Sequence, residues 1–408
     1  MSILTFPSRS QANPSERIHY LDNVRALAML LGLVFHGGLT YAYPSNAIWI
    51  VADWEGDRVI DGLVWFLHIF RMATFFLIAG YFAKLLVERR GVRGFLWNRF
   101  VRIVCPFFLF YPFLLVAYGI AIWIAYAPTT LPPIMAANKA GPPPDQSLNT
   151  MHMWFLYYLA IFSVIVAILA NFKITAFDRL ADWFYGSFWP TLVMPLAIVP
   201  ALWIAGSPTG STESFIPLPW VFGYYGFFFA AGWKLWGRES YFDIVGRFVW
   251  VLIPISAAMF AAYYYLMPDL SELRVLLDKA PALSPSLQIT MAFLSAYLSV
   301  FLTLITLVLG KKFLSGHSHI LKYISDASYW IYLVHLPLML AIQGLMAPYH
   351  WNVWIKFATS VAATFVISLG LYAIFVRYTP LGWLLNGYKP FPWHLLGGGK
   401  PSAIEAKV

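Results

Sequence analysis

The chain has 408 residues and is 60% hydrophobic, with only 11% charged residues. Ordinary soluble domains carry about one quarter charged residues, so this composition excludes a soluble globular protein and predicts an integral membrane protein. The net charge of +9 does not indicate a nucleic-acid partner, because Lys and Arg accumulate in the cytoplasmic loops of membrane proteins.

Apolar runs of about 20 residues, the length that crosses the hydrocarbon core, predict about ten transmembrane helices. Their approximate bounds are 24–42, 60–83, 103–126, 152–170, 188–206, 215–236, 248–267, 287–310, 325–347 and 354–376. Most Lys and Arg residues fall on one side of these runs, together with both chain ends, so the positive-inside rule places both termini in the cytoplasm. The predicted fold is all-α, with cytoplasmic tails over residues 1–20 and 381–408 and one transmembrane domain over 21–380.

The first predicted helix carries Arg25 near its cytoplasmic end and His36 eleven residues later. This spacing is about three turns, which puts both side chains on nearly one face and about 16 Å apart along the axis. Asp22, one turn before Arg25, is placed to hold that arginine or to cap the helix. The structural interpretations are a positive-inside anchor for Arg25 and a hydrogen-bonded core histidine for His36; at mid-depth the functional interpretation of His36 is favoured.

The second predicted helix contains His68 and Arg71 one turn apart in its middle. No acidic residue lies in the interior of any predicted helix, and a buried arginine without a partner is strongly destabilised. Arg71 must therefore reach water, backbone carbonyls, an acid such as Asp61, or an anionic ligand. The last alternative predicts a substrate that carries a carboxylate.

The next two predicted helices have polar residues at opposite mouths. Arg99 and Arg102 lie at the cytoplasmic mouth of the third, where guanidinium groups suit phosphates; from the residues alone, positive-inside bias is the favoured explanation. His152 and Trp154 begin the fourth helix at the external boundary, where an aromatic belt is expected and where a carbohydrate could also stack.

The ninth predicted helix brings His335 about 15 Å in from its cytoplasmic end at Asp326. Pro337 follows two residues later and frees backbone carbonyls of the preceding turn, so His335 is either a cap for those carbonyls or a catalytic group. Its depth matches that of His36 and Arg71. Three helices that bring basic side chains to one depth indicate an active site or a transport path.

These residues together resemble the membrane-bound acyltransferase family 3. The first helix of that family carries an arginine and a histidine separated by ten residues, as Arg25 and His36 are. Its R-x-x-R at the third helix is matched by Arg99 and Arg102. Its FF-x-[IL]-[SA]-G-[YF] signature is matched by residues 75–81, with Ala79 where serine is commoner.

Within that family the chain is most similar to the glucans biosynthesis protein C group. This group adds H-x-x-R-M, matched by His68 and Arg71, and H-[LM]-W-F-L, matched by residues 152–156. It also adds I-Y-L-V-H-x-P-L, matched by residues 331–338, with Leu336 where a second histidine is common.

The resemblance implies transfer of an acyl group from cytoplasmic acyl-coenzyme A to a hydroxyl of an extracytoplasmic glycan, at the bacterial inner membrane and without a metal. The phosphates of coenzyme A would bind Arg25, Arg99 and Arg102. His36 would act as general base, with His335 as the second catalytic candidate, and the acceptor would enter past His152 and Trp154. Asp22 and Asp326 are expected to support these groups.

Arg71 and His68 are expected to contact the acyl donor. A succinyl group offers Arg71 a carboxylate and an acetyl group does not, so the sequence favours succinyl-coenzyme A and an osmoregulated periplasmic glucan. O-acetylation of a surface or exported polysaccharide is the alternative. A glycan exporter, which would use the same polar residues as a path, is the alternative from another functional class.

Overall fold

The computed structural model describes residues 19–45, 49–140, 148–172, 175–206, 209, 212–267, 284–316 and 318–387. These residues form helices and no β-strand; their only bridge-like pairing joins Ala42 to Asp57. The predicted tails lie largely outside the described residues. The all-α prediction is confirmed for the described residues.

Fourteen α-helices are numbered here in chain order within the described residues. Their bounds are α1 His19–Leu39, α2 Arg58–Arg99, α3 Cys105–Tyr126, α4 Pro133–Ala140, α5 Trp154–Leu169, α6 Thr175–Tyr185, α7 Trp189–Ala205, α8 Pro219–Leu235, α9 Tyr241–Gly246, α10 Val249–Leu266, α11 Pro285–Phe313, α12 His319–Met346, α13 Val353–Leu371 and α14 Pro380–Asn386. Two π-helical turns, Phe100–Val104 and Tyr372–Val376, and one 3-10 turn, Met151–Met153, adjoin them.

Six helical stretches in the described part of the chain are long and apolar enough to cross a membrane. They are Arg58–Tyr126, Met151–Leu169, Val249–Leu266, Pro285–Phe313, His319–Met346 and Val353–Val376. The chain is therefore a multi-pass membrane protein. Each of the ten predicted runs falls on a helix, but the count of ten crossings and the side of the termini stay predictions.

Polar side chains set where several helices begin. Asp57 precedes α2 and accepts hydrogen bonds from the backbone N–H groups of Val59 and Ile60. Ser318 caps α12 by accepting from the N–H of Leu321. These contacts satisfy backbone donors that the first turn of a helix leaves unpaired.

Gly91 interrupts the helical stretch from Arg58 to Tyr126. Its φ of +68° lies in the left-handed region, which glycine adopts without steric cost. The chain then passes through the π-helical turn Phe100–Val104, which includes Arg102 and follows Arg99 directly. The two arginines of the R-x-x-R motif thus lie at an irregular turn, a feature often found at functional sites.

Helix α1 packs against both α2 and α12, and α2 packs closely against α8. A Cβ atom on Gly80 would lie 1.9 Å from the carbonyl oxygen of Phe229, and one on Gly232 would lie 1.8 Å from that of Leu77. Small residues allow this approach of two backbones, which is how membrane helices gain packing contacts. The glycine of the residue 75–81 signature is explained by this crossing.

We predict that Gly80→Ala destabilises the protein by about 1–3 kcal/mol or more, because the added methyl group overlaps a backbone oxygen. Gly62→Ala in the same helix is the matched control, since a Cβ atom there meets no atom within 4 Å. It should be neutral or stabilising by up to about 1 kcal/mol. Unfolding of both purified variants, followed by intrinsic fluorescence, measures the difference; equal midpoints would contradict the prediction.

Candidate active site

His36 of α1 and His335 of α12 lie side by side in the interior, with ring centroids 5.3 Å apart. A polar contact two turns further along α12 fixes the register of the two helices. Gln343 donates from Nε2 to the carbonyl oxygen of Gly37 over 3.0 Å and accepts from Thr40 Oγ1 over 2.8 Å. Both bonds join α12 to the end of α1 and the residue after it, and Gln343 is about 300 residues from either partner in the sequence.

The ring of His335 has one bonded and one free nitrogen. Its Nδ1 lies 2.7 Å from the carbonyl oxygen of Tyr332, and because a carbonyl only accepts, this nitrogen carries the hydrogen. In the neutral ring the lone pair is then on Nε2, which is buried and makes no hydrogen bond. Nδ1 of His36 is also buried and unbonded. Two neighbouring imidazoles therefore each present an unpaired nitrogen to the interior.

His152 is an interior residue, which differs from the predicted place at an external aromatic belt. It is 5% exposed, its ring centroid is 5.4 Å from that of His335, and Nε2 lies 3.1 Å from the carbonyl oxygens of Tyr332 and Leu333. The Leu333 carbonyl lacks its usual helical donor because Pro337 has no N–H. The proline of α12 thus explains why His152 is drawn inward.

The tautomer of His152 follows from these contacts. Nε2 donates to backbone carbonyls, so Nδ1 accepts the hydrogen bond from the Tyr118 hydroxyl, 2.9 Å away. Both nitrogens of His152 are occupied within the protein, in contrast to those of His36 and His335. His152 is built to hold the site together rather than to exchange a proton.

Arg71 is 8% exposed and lies beside the histidines. Its guanidinium carbon is 4.5 Å from the centre of the Phe35 ring, and a Cβ atom on Gly32 would lie 2.6 Å from its Nη1. Within the described part of the chain Arg71 makes no salt bridge, and its buried Nε makes no hydrogen bond.

Asp61, the acid considered for Arg71 from the sequence, lies elsewhere. It is ten residues away on the same helix, about 15 Å along the axis, and accepts a hydrogen bond from the Tyr264 hydroxyl over 2.8 Å. His68 completes this side of the site. Its ring stacks on Phe35 with centroids 5.6 Å apart, and its Nε2 lies 2.9 Å from Oγ1 of Thr209.

The three predicted phosphate-binding arginines lie together at the start of α1 and around the π-helical turn, where each is within electrostatic range of the others. Arg25 Nη2 is 3.4 Å from Asp22 Oδ1, which is one of the two roles that the sequence offers for Asp22. Arg99 packs on the Phe95 ring at 5.2 Å and has a buried, unbonded Nε. Arg102 packs against Gly387 after α14.

Two predicted residues stand apart from the histidines. Trp154 packs in an aromatic cluster, with its ring 5.4 Å from that of Tyr225 and 6.2 Å from that of Phe76. Asp326 offers its backbone carbonyl to the amide of Asn386 over 2.7 Å, nine residues before His335. Asp326 thus helps to hold α14 and does not contact the histidine pair.

Four residues of the site were not predicted: Phe35, Trp49, Tyr118 and Tyr332. Tyr332 and Tyr329 precede His335 by three and six residues, so this spacing could have predicted that they lie on the same face of the helix as His335. Trp49 lies in a loop, where no periodicity marks it. Phe35 and Tyr118 are two among many aromatic residues in apolar runs.

A family model described as an acyltransferase domain, of the acyltransferase 3 type, matches residues 18–373. The chain belongs to this acyltransferase family. The acyltransferase is therefore an acyl-transferring membrane enzyme, and the residues brought together above lie within the matched region.

Curated relatives of the acyltransferase are named glucans biosynthesis protein C. The protein from Escherichia coli O1:K1 is 25% identical over 399 residues, covering 92% of this chain and 95% of the relative. The proteins from Escherichia coli K12 and Salmonella gallinarum are each 24% identical, with 92% of this chain and 95% and 96% of the relatives covered. No solved structure gives a significant match.

We predict that Gly32→Ala lowers acyl transfer about tenfold or more, because the new methyl group displaces the Arg71 guanidinium from its place beside Phe35. Gly119→Ala on α3 is the control, since a Cβ atom there meets nothing within 4 Å. Initial rates of transfer by the purified variants, with unfolding midpoints measured in parallel, provide the check. An unchanged rate in a Gly32→Ala protein would show that the position of Arg71 is immaterial.

Proposed function

We propose that the acyltransferase moves an acyl group, preferentially succinyl, from cytoplasmic acyl-coenzyme A to a hydroxyl of a periplasmic glucan. One observation carries this proposal: two histidines, each with a buried ring nitrogen that makes no hydrogen bond within the described residues, lie 5.3 Å apart beside an arginine that has no acidic partner there. The names of the curated relatives support glucan as the acceptor. The predicted setting is the bacterial inner membrane, with both termini in the cytoplasm.

The arginine cluster supports binding of coenzyme A. Arg25, Arg99 and Arg102 offer guanidinium groups that match phosphate oxygens. Of these, Arg25 lies about 16 Å along α1 from His36. Tyr329 and Tyr332 line α12 between this cluster and His335, with rings stacked 6.5 Å apart. An extended thioester arm fits this distance.

The transfer step needs one base and one site for the developing negative charge. We assign the base to His36, whose free Nδ1 accepts the proton of the sugar hydroxyl. The hydroxyl oxygen attacks the thioester carbonyl, the C–O bond forms and the C–S bond breaks. The coenzyme A thiolate leaves and takes the proton from the imidazolium, so the products are a glucan ester and free coenzyme A. Nε2 of His335 is placed to orient the substrates in this step.

In this proposal Arg71 determines which acyl donor the enzyme prefers. A succinyl carboxylate would supply the negative charge that the described surroundings of Arg71 lack, and burial makes such a charge-assisted contact strong. If the donor is instead acetyl-coenzyme A, Arg71 would stabilise the oxyanion of the tetrahedral intermediate. The two roles can be distinguished. A carboxylate partner is needed only for succinyl transfer, whereas stabilisation of the oxyanion is needed with either donor.

A glycan exporter is the alternative from another functional class. It would use the same buried polar residues as a path and would not need coenzyme A. Specific binding of coenzyme A to the purified protein, weakened by Arg102→Met, would count against transport alone.

Transfer can be tested directly with purified protein. Incubation with succinyl- or acetyl-coenzyme A and periplasmic glucan should add the acyl group of the donor to the glucan, with succinyl preferred, as measured by mass spectrometry, and release free thiol in equal amounts. His36→Gln should lower the rate by about a hundredfold or more, the typical contribution of a general base. An unmodified glucan with both donors would overturn the proposed function, and a fully active His36→Gln protein would overturn the assignment of the base.

We predict that Arg71→Met lowers succinyl transfer by at least tenfold while acetyl transfer changes by less than threefold, because only the succinyl carboxylate loses its partner. Arg93→Met, at an exposed position of α2, is the matched control. Competition between the two donors in one reaction measures the ratio. Equal losses for both donors would assign Arg71 to the oxyanion instead, and unchanged succinyl transfer would reject both roles.

A further inference from the structure

Residues 49–57, which precede α2, lie at the end of the site opposite the arginine cluster. Arg25 is near the start of α1 and His36 is about 16 Å further along its axis, so the residues that follow α1 lie beyond the histidines. Val51 and Ala52 of this segment are fully buried. These buried residues therefore form a wall of the site, which is called the wall below.

Several hydrogen bonds hold this wall in place. The N–H of Asp53 donates to the carbonyl of Thr40 over 3.2 Å, and the hydroxyl of Tyr126 donates to the carbonyl of Ile50 over 2.8 Å. The indole of Trp54 donates to the carbonyl of Ala347 over 2.8 Å. The segment is thus tied to α3 and to the end of α12 as well as to α1.

A buried ion pair adds the strongest tie. Nζ of Lys356, at the start of α13, lies 2.7 Å from Oδ2 of Asp53, and both side chains are almost fully buried. Breaking such a pair leaves an uncompensated charge in the interior. The ion pair therefore fixes the backbone of the wall a few residues from Trp49.

Trp49 is the wall residue that contacts the proposed base. Its ring stacks on that of His36, with centroids 5.9 Å apart and planes inclined by 29°. Its indole Nε1 is buried and makes no hydrogen bond to any of the described residues. An indole N–H can only donate, and a buried donor without an acceptor is costly.

The free groups of the two stacked rings are chemically complementary. Trp49 offers a hydrogen-bond donor, and Nδ1 of His36 offers an acceptor when the ring hydrogen is on Nε2. A hydroxyl group satisfies both at once, because its oxygen accepts while its hydrogen donates. A carbohydrate acceptor supplies such a group.

We infer that Trp49 is a further acceptor-binding residue: its indole N–H donates to the oxygen of the sugar hydroxyl whose hydrogen bonds to His36. The inference rests on the proposed function for the identity of the acceptor. The wall would then contribute to acceptor binding, because the Asp53–Lys356 ion pair would hold the indole N–H of Trp49 in a fixed position beside His36.

Trp49→Phe tests the inference, because it keeps an aromatic ring for stacking on His36 and removes only the N–H. We expect glucan binding, measured by titration calorimetry in the absence of donor, to weaken about tenfold. The KM for glucan should rise by a similar factor, while the KM for acyl-coenzyme A and its slow hydrolysis without glucan should change by less than twofold. Trp351→Phe, which alters an exposed tryptophan outside the site, should change none of these quantities.

Unchanged glucan binding by a folded Trp49→Phe protein would overturn the inference. Equal losses in transfer and in donor hydrolysis would also overturn it, because they would mean that Trp49 acts only on His36. Asp53→Asn, which removes the charge of the ion pair, should weaken glucan binding as well. A wild-type protein that binds glucan but transfers nothing would instead overturn the proposed function, so the two failures are distinguishable.

Discussion

The arrangement of the interior depends on the burial of the Arg71 guanidinium in a region without an acidic partner among the described residues. Burial of an unpaired charge costs several kcal/mol even after relaxation, and the surroundings offset only part of that cost. The face of Phe35 provides a cation–π contact, which is stronger when desolvated. Gly32 leaves room for the guanidinium, so one missing side chain on α1 determines where the charge of α2 can lie.

Close contacts between helices fix the position of the Arg71 side chain and of the two histidines. Apolar burial does not favour one helix–helix contact over lipid in a bilayer, so packing and interhelical hydrogen bonds must set the geometry. The crossing at Gly80 and Gly232 fixes α2 against α8, and Gln343 fixes α1 against α12. Arg71, His36 and His335 each belong to an element whose position is set by contacts outside the site. The site is therefore supported by rigid helices, which suits groups that must remain within a few tenths of an ångström of their working positions.

The sequence predicts much of the helix arrangement and of the candidate site, because membrane helices have a narrow range of lengths and a constant rise per residue. Counting residues from the helix ends predicted that His36, Arg71 and His335 share one depth, and the structure brings them together. The same counting placed His152 at the external boundary in an aromatic belt. It could not predict the contact with the Leu333 carbonyl, which Pro337 leaves without a donor in another helix. Trp49 was missed for a related reason: its position depends on the Asp53–Lys356 pair, which joins residues about 300 positions apart. Periodicity describes one helix at a time, whereas such contacts arise only from the packing of several.

Pro337 has a consequence for the acid–base character of the interior. By removing one N–H from α12, it leaves the Leu333 carbonyl to His152, and that contact determines which nitrogen of His152 holds its hydrogen. His335, two residues after Leu333, keeps its own hydrogen on Nδ1, which faces the carbonyl of Tyr332. The two imidazoles are therefore chemically unequal: both ring nitrogens of His152 are hydrogen-bonded within the protein, whereas Nε2 of His335 makes no hydrogen bond within the described residues. The backbone of α12 therefore determines, as much as its side chains do, which ring nitrogens carry a hydrogen and which remain acceptors.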